Sequence, residues 1–243
     1  MTAGSAIRRV VHCMGTVFSF DVCAPNVADE VLDAAADLLH DVDARFSTYR
    51  DDSEISRLAR GELGIDDCSD DVRFVLDECE RYRQLTGGYF SAYAAGSLDP
   101  SGYVKGWAIQ RASLLLQEAG STSHTVNGGG DVQCFGAAAD APWRIGIANP
   151  HVPGEIVAVV SGTDFAVATS GVEQRGAHIV NPHTGRPPTD LASLTVVGPR
   201  LIDADVYATA GFAMGATAQR WFEHQAEYKA FAVTAGGGTW STF

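Results

Sequence analysis

Apolar residues recur at helical spacing in five stretches of the chain and alternate, or run together briefly, across most of the remainder. Val31, Ala35, Leu38, Val42 and Phe46 repeat every three to four positions, which predicts a helix over 28–46 entered after Pro25-Asn26. A second helix is predicted from a Ser69 or Asp70 cap through 85, with Val72, Val75, Leu76, Cys79 and Tyr82 on its inner face. Gly87-Gly88 ends it. A third is predicted from about Lys105 through 118, with Trp107, Arg111 and Leu115 in register and Gly120 closing it. Near the C-terminus, 203–214 and 216–224 also read as helical.

Strand signals flank and follow these helices. Residues 10–22 are β-prone with a break at Gly15. Val126, the Gly128-Gly129-Gly130 run, 143–148, 156–160, 165–168, 193–197 and 228–234 read as short strands separated by Gly, Pro and Asn turns. Helices gathered early and strands gathered late predict an α+β fold rather than alternating β-α-β units. With no repeat and no low-complexity linker, the expectation is one domain over 1–243, with two lobes around a cleft.

Composition narrows the partners. Of 243 residues, 46% are hydrophobic and 19% charged, enough to bury a core. The net charge of −13 argues against nucleic acid or an anionic membrane as partner, while leaving room for a phosphate-bearing small molecule screened by a metal or a local lysine. The five cysteines show no C-x-x-C spacing, which fits reduced thiols rather than zinc or a disulfide framework. Arg8 and Arg9 precede no long apolar stretch, so no secretory or lipidation signal is read, no window suits a membrane span, and a cytoplasmic location is expected.

Three clusters and one pair carry candidate chemistry. Asp205 and Thr209 stand four apart in a helical run and so share a face. Such a pair is either an exposed polar stripe or a grip for a hard cation such as Mg²⁺, which takes oxygen ligands and leaves positions open for phosphate. Asp99-Pro100-Ser101-Gly102-Tyr103-Val104-Lys105-Gly106-Trp107 is a Gly-containing loop leading into a helix, with Lys105 near the start; it is an ordinary turn or an anion site, and not a Walker loop. Asn127-Gly128-Gly129-Gly130-Asp131 is a hairpin turn or a place where a ligand meets the backbone. Gly236-Gly237-Gly238 reads as a plain turn. Thr169-Ser170-Gly171, Arg175 and the segment from His178 to Arg186 put hydroxyls, imidazoles and an arginine around a Pro/Gly turn, a set suited to phosphate oxygens or to mere surface. The other histidines are scattered and receive no role.

Together these segments resemble the ApbE flavin transferases, FAD:protein FMN transferases. The resemblance covers nearly the whole chain. It includes Met14-Gly15-Thr16, Phe46-Ser47-Thr48-Tyr49-Arg50, Asp52 to Leu58, Thr86-Gly87-Gly88-Tyr89-Phe90, the Asp99 loop, the Asn127 glycines, Thr169-Ser170-Gly171, His178 to Gly185, and Ala204-Asp205 to Thr209. The resemblance implies a fold related to the T-fold, FAD in a central cleft, and Mg²⁺-dependent transfer of FMN to a Thr or Ser hydroxyl of an acceptor protein with release of AMP. It further implies Mg²⁺ bound by Asp205, Thr209 and the Gly102 carbonyl, and FAD contacted by Met14, Asp99, Lys105, His178 and Ile179, with Tyr49 stacking on the flavin. His178 and Asp205 are the implied catalytic residues. Three departures stand out: Asn181 where the family has Asp, Gln110 where an acidic residue is common, and a short stretch between Gly171 and His178. Two alternatives stay open: an FAD pyrophosphatase giving FMN and AMP, with water in place of the acceptor hydroxyl at the same site, and a non-catalytic FAD-binding or storage protein, which the Asn181 departure favours.

Overall fold

Alternation of apolar and polar residues builds the opening hairpin. In the computed structural model, which describes residues 7–23, 27–138, 141–172 and 179–243, Ile7–Cys13 (β1) and Thr16–Val22 (β2) pair antiparallel. Met14 and Gly15 form the turn, both at positive φ, 51° and 66°, a geometry whose twist matches the strands it joins. Phe18, Phe20 and Val22 point inward and are buried, as a period of two requires.

Four helices separate this hairpin from the rest of its sheet. Asp29–Phe46 (α1) buries Leu32, Ala35, Leu39, Val42 and Phe46. Ala35, Val42 and Phe46 lie on the expected stripe, while Leu32 and Leu39 take the places expected for Val31 and Leu38, which are only half-buried. Glu54–Ala59 (α2) is a short helix that periodicity does not reveal; Ser53 caps it by accepting from the Ser56 amide at 3.0 Å. Asp70–Leu85 (α3) begins at the expected Ser69 cap, whose hydroxyl accepts from the Val72 amide at 3.4 Å. Ser101–Glu118 (α4) starts a full turn earlier than expected. The Asp99 carboxylate accepts from the Ser101 amide at 2.9 Å and closes the helix end that Gly102 disguised as loop. Asp71 accepts from Arg45 at 2.7 Å and from Arg111 at 3.1 Å, tying α1, α3 and α4 together.

The sheet then resumes. His124–Gly128 (β3) pairs with β2 and turns through Gly129-Gly130 into Asp131–Phe135 (β4). The glycine run is thus a tight two-residue hairpin turn with φ of 61° and 94°, values that a side chain would strain. Trp143–Ala148 (β5) and Ile156–Gly162 (β6) form a separate hairpin. Phe165–Gly171 (β7), Leu191–Gly198 (β8), Leu201–Met214 (α5), Ala218–Phe222 (α6), Lys229–Thr234 (β9) and Thr239–Ser241 (β10) complete the chain. The main sheet runs β1-β2-β3-β4-β7-β8-β9-β10, antiparallel throughout. The fold is α+β, as expected.

The faces of the sheet divide the packing. Ala166 and Ala168 of β7 join the large core, beneath α5, whereas Phe165 and Val167 join a smaller cluster with Val132 and Cys134. Trp143, Ile145 and Val160 cover that smaller cluster, so the β5–β6 hairpin lies on the opposite face. Helix α5 is nearly all buried, and its first amides need partners there. Gln133 accepts from Leu201 at 3.0 Å and Gln110 from Ile202 at 3.2 Å. The Gln110 departure is therefore a helix cap in this chain. Asp203 accepts from the Tyr82 hydroxyl and, at 2.6 Å, from the Tyr228 hydroxyl, fixing the rotation of α5. All five cysteines are free thiols. No helix among the described residues is long and apolar enough to cross a membrane.

Candidate active site

Helix α5 carries two buried carboxylates, Asp203 and Asp205. Asp203 and Asp205 differ by two positions, about 200° around the axis, so Asp203 can face the tyrosines while Asp205 faces α4. Asp205 is 3% exposed. Its Oδ2 accepts from the Gly106 amide at 2.9 Å, and its Oδ1 lies 3.5 Å from Lys105 Nζ. The approach of α4 to α5 needs Gly106, where an added Cβ would stand 2.9 Å from Asp205 Cβ. Thr209, one turn on, has its hydroxyl 3.4 Å from Ser170 Oγ.

These groups open into a cavity of about 530 Å³, within the range of small-molecule sites. Asp99, Gly102, Lys105, Ile179, Asp205 and Thr209 all line it. Of the other residues singled out from sequence, Met14 sits in the β1–β2 turn next to the lining residues Gly15 and Thr16 without lining the cavity itself. Tyr49 follows α1, is 95% exposed and is not part of the lining. His178 lies outside the described residues. Gly129 and Gly130 reach the cavity as backbone, so the hairpin turn is also a place where a ligand can approach the main chain.

Several further groups complete the lining, of which the β5 residues and Ser193 carried no signal of their own in the sequence. Tyr89 and Phe90 follow the Gly87-Gly88 turn, Ile145 to Ala148 contribute the β5 wall, and Ser170 and Ser193 bring hydroxyls from β7 and β8. Asp131 closes the glycine cluster, which suggests no side-chain role in the sequence. It is 1% exposed and holds Lys105 through Oδ2, while its Oδ1 accepts from the Thr169 amide at 2.9 Å. The anion site expected at the start of α4 is altered accordingly: Asp99 occupies the Ser101 amide, and Lys105 lies in the second turn, paired with carboxylates.

Burial pushes the Asp205 carboxyl up to about 7; Lys105 pulls against this, Asp131 adds to it, and the Gly106 amide lowers it. A carboxylate so placed gains from a cation. Its nearest polar neighbours are the Gly106 amide and the Lys105 ammonium, with the Thr209 hydroxyl one turn along the same helix.

Asn181 stands apart from the cavity lining. Its Oδ1 accepts from the His183 amide at 2.9 Å, and its own amide donates to the Arg186 carbonyl at 2.9 Å, closing a tight turn. His183 then docks this turn: its Nε2 lies 3.0 Å from the Gly87 carbonyl and its ring meets Tyr89 edge-on at 4.5 Å. His183, grouped in the sequence with the candidate phosphate-binding imidazoles, here braces an aromatic of the cavity wall.

Comparison with known proteins gives a consistent picture. The model of the ApbE family matches residues 14–95 and 91–232. An FAD:protein FMN transferase of Vibrio cholerae is 29% identical over 265 aligned residues, covering 83% of this chain and 79% of its own. One from Treponema pallidum is 36% identical over 143 residues, covering 51% of this chain and 40% of its own. Among solved structures, the ApbE protein from Thermotoga maritima has a TM-score of 0.86 at 19% identity, covering 97% of this chain and 96% of that one. The flavin transferase ApbE from Vibrio cholerae has a TM-score of 0.83 at 24% identity, covering 98% and 97%. At these identities the structures speak to the fold alone.

Proposed function

Because the chain belongs to the ApbE family, we propose that it transfers FMN from FAD to a Thr or Ser hydroxyl of an acceptor protein, with Mg²⁺, releasing AMP. The observation that carries this reading is the meeting of Asp205 and Thr209 with Lys105 and Asp99 in one cavity. Asp205, Thr209 and the Gly102 carbonyl are the groups that would hold the ion. Bound there, Mg²⁺ would neutralise charge on the diphosphate and act as a template.

The chain's own residues supply the remainder. Lys105 presents an ammonium to phosphate oxygens. Asp99 keeps the first turn of α4 in place through the Ser101 amide, so that Gly102 and Lys105 hold their positions. The Gly129-Gly130 turn lets backbone approach the ligand, and Tyr89, Phe90, Ile147 and Ile179 provide apolar walls for ring systems. In the reaction an acceptor oxygen forms a bond to the FMN phosphorus, the diphosphate bond to AMP breaks, and the hydroxyl proton departs. Positioning and charge neutralisation are the main demands of such a transfer.

Incubation with FAD, Mg²⁺ and a threonine-bearing peptide tests the reading by mass spectrometry. The expected product is a peptide carrying FMN, with AMP in equal amount. FMN and AMP released in the absence of any acceptor would make the protein a pyrophosphatase, and FAD left intact would make it a binding protein. The Asn181 departure gives the storage alternative little support, since its side chain closes a turn outside the cavity lining.

A further inference from the structure

Lys105 is shared between two acidic groups, and they are not equivalent. Asp205 Oδ1 is 3.5 Å from the ammonium, lines the cavity, and belongs to the helix face shared with Thr209. Asp131 makes the closer contact, is 1% exposed, and does not line the cavity. Its second oxygen is held by the Thr169 amide at 2.9 Å, so its carboxylate is clamped from β7 while it grips the lysine. Asp131 itself sits at the first position of β4, directly after the Gly129-Gly130 turn that reaches the cavity. The lysine side chain retains 26% exposure. One carboxylate therefore lies behind the ammonium and the other beside the ligand space.

We propose that Asp131 is a positioning residue for Lys105, holding its ammonium toward the diphosphate of FAD so that Asp205 is left for the metal ion. The proposal rests on the flavin-transferase reading above and adds a residue to it. Charge explains the arrangement. Two carboxylates and one ammonium leave the ionised cluster one negative charge, unsuited to a diphosphate; a divalent ion makes it one positive charge. When Asp205 turns to the ion, Lys105 loses that contact, and the closer one to Asp131 keeps its flexible stem from moving freely. Asp131 removes that freedom before the ligand arrives, which lowers the ordering needed on binding.

FAD affinity measured by flavin fluorescence with Mg²⁺ and without any acceptor protein, the state in which Asp205 is turned to the ion, tests this in a double-mutant cycle. In the otherwise wild-type chain, Asp131→Asn is expected to weaken FAD binding about tenfold, the scale of a lost charge-assisted contact. In the Lys105→Met background the same change is expected to alter affinity less than about twofold. A purely structural Asp131 would weaken binding equally in both backgrounds, and that result, or no effect in either, overturns the proposal. Should Asp131→Asn not fold, Asp131→Glu keeps the charge but displaces it by a methylene, and the same dependence on background is expected. A wild-type chain that binds no FAD would overturn the functional reading and this inference with it, whereas wild-type binding with an indifferent Asp131 would remove the inference alone.

Discussion

At the residue scale the site is a problem of where a charge can be kept. Asp205 is buried against Gly106 and Lys105, and burial holds its carboxyl up to about 7. Its folded value lies above the unfolded 3.8, so its contribution to the stability of the metal-free chain is fully present below 3.8 and lost as pH rises to about 7. A divalent ion needs the carboxylate form, so binding below that value expels a proton. Mg²⁺ affinity is thus expected to fall roughly tenfold per pH unit below about 7 and to level off above it. Calorimetry in buffers of different ionisation enthalpy checks this, and an affinity flat from pH 5 to 8 would contradict it. Most of the cavity residues were nameable from sequence, because Asp99, Lys105, Ile179 and Asp205 sit in short distinctive segments. Asp131 was not, since nothing in a single Asp after three glycines says that its side chain turns inward to a lysine 26 positions earlier.

At the element scale the molecule depends on α4, which touches both α5 and β3. Its contact with α5 closes over Gly106. An added methyl would stand 2.9 Å from Asp205 Cβ and 3.0 Å from the Leu201 carbonyl, so Gly106→Ala should push the helices apart. The expected cost is about 1–3 kcal/mol by urea denaturation, with weakened Mg²⁺ binding; unchanged values in both would remove Gly106 from the site's support. Its contact with β3 runs through His124, whose Nε2 lies 2.8 Å from Ser113 Oγ and whose Nδ1 lies 2.9 Å from Ser121 Oγ. Burial pushes this imidazole down to about 4 from 6.5. Its stabilising contribution is present above pH 6.5 and is lost as pH falls through about 4, a loss of about 3 kcal/mol. Urea midpoints at pH 7, 5 and 4 should fall less steeply in His124→Asn than in the native chain. The long helices were legible because a repeat of three and four marks a buried stripe. The short α2, the first turn of α4 and the three-residue β10 were not, since each holds too few residues to show a period. Pairing was hidden for a different reason: β2 meets β3 across all four helices, with Val22 opposite His124, and no local pattern encodes so distant a partner.

At the scale of the whole molecule, the site draws on residues far apart in sequence and on several elements. Lys105 and Gly102 come from α4, Asp205 and Thr209 from α5, Ser170 from β7, and Ile179 from the segment that Asn181 and His183 brace. A ligand that touches all of them stabilises the native chain and has no counterpart in the unfolded one. FAD at about a hundred times its dissociation constant should add about 2.7 kcal/mol, which for a chain of this length corresponds to a rise in melting temperature of about 5–10 °C. Mg²⁺ should raise the melting temperature further in the presence of FAD. In Asp205→Asn the FAD increment should persist while the Mg²⁺ increment disappears, because the amide carries no charge to hold the ion and Lys105 with its Asp131 partner is intact. Thermal melts of the two proteins, each alone, with FAD, and with FAD and Mg²⁺, separate these terms. An equal Mg²⁺ increment in both would place the ion somewhere other than α5, and with it the chemistry assigned to this cavity.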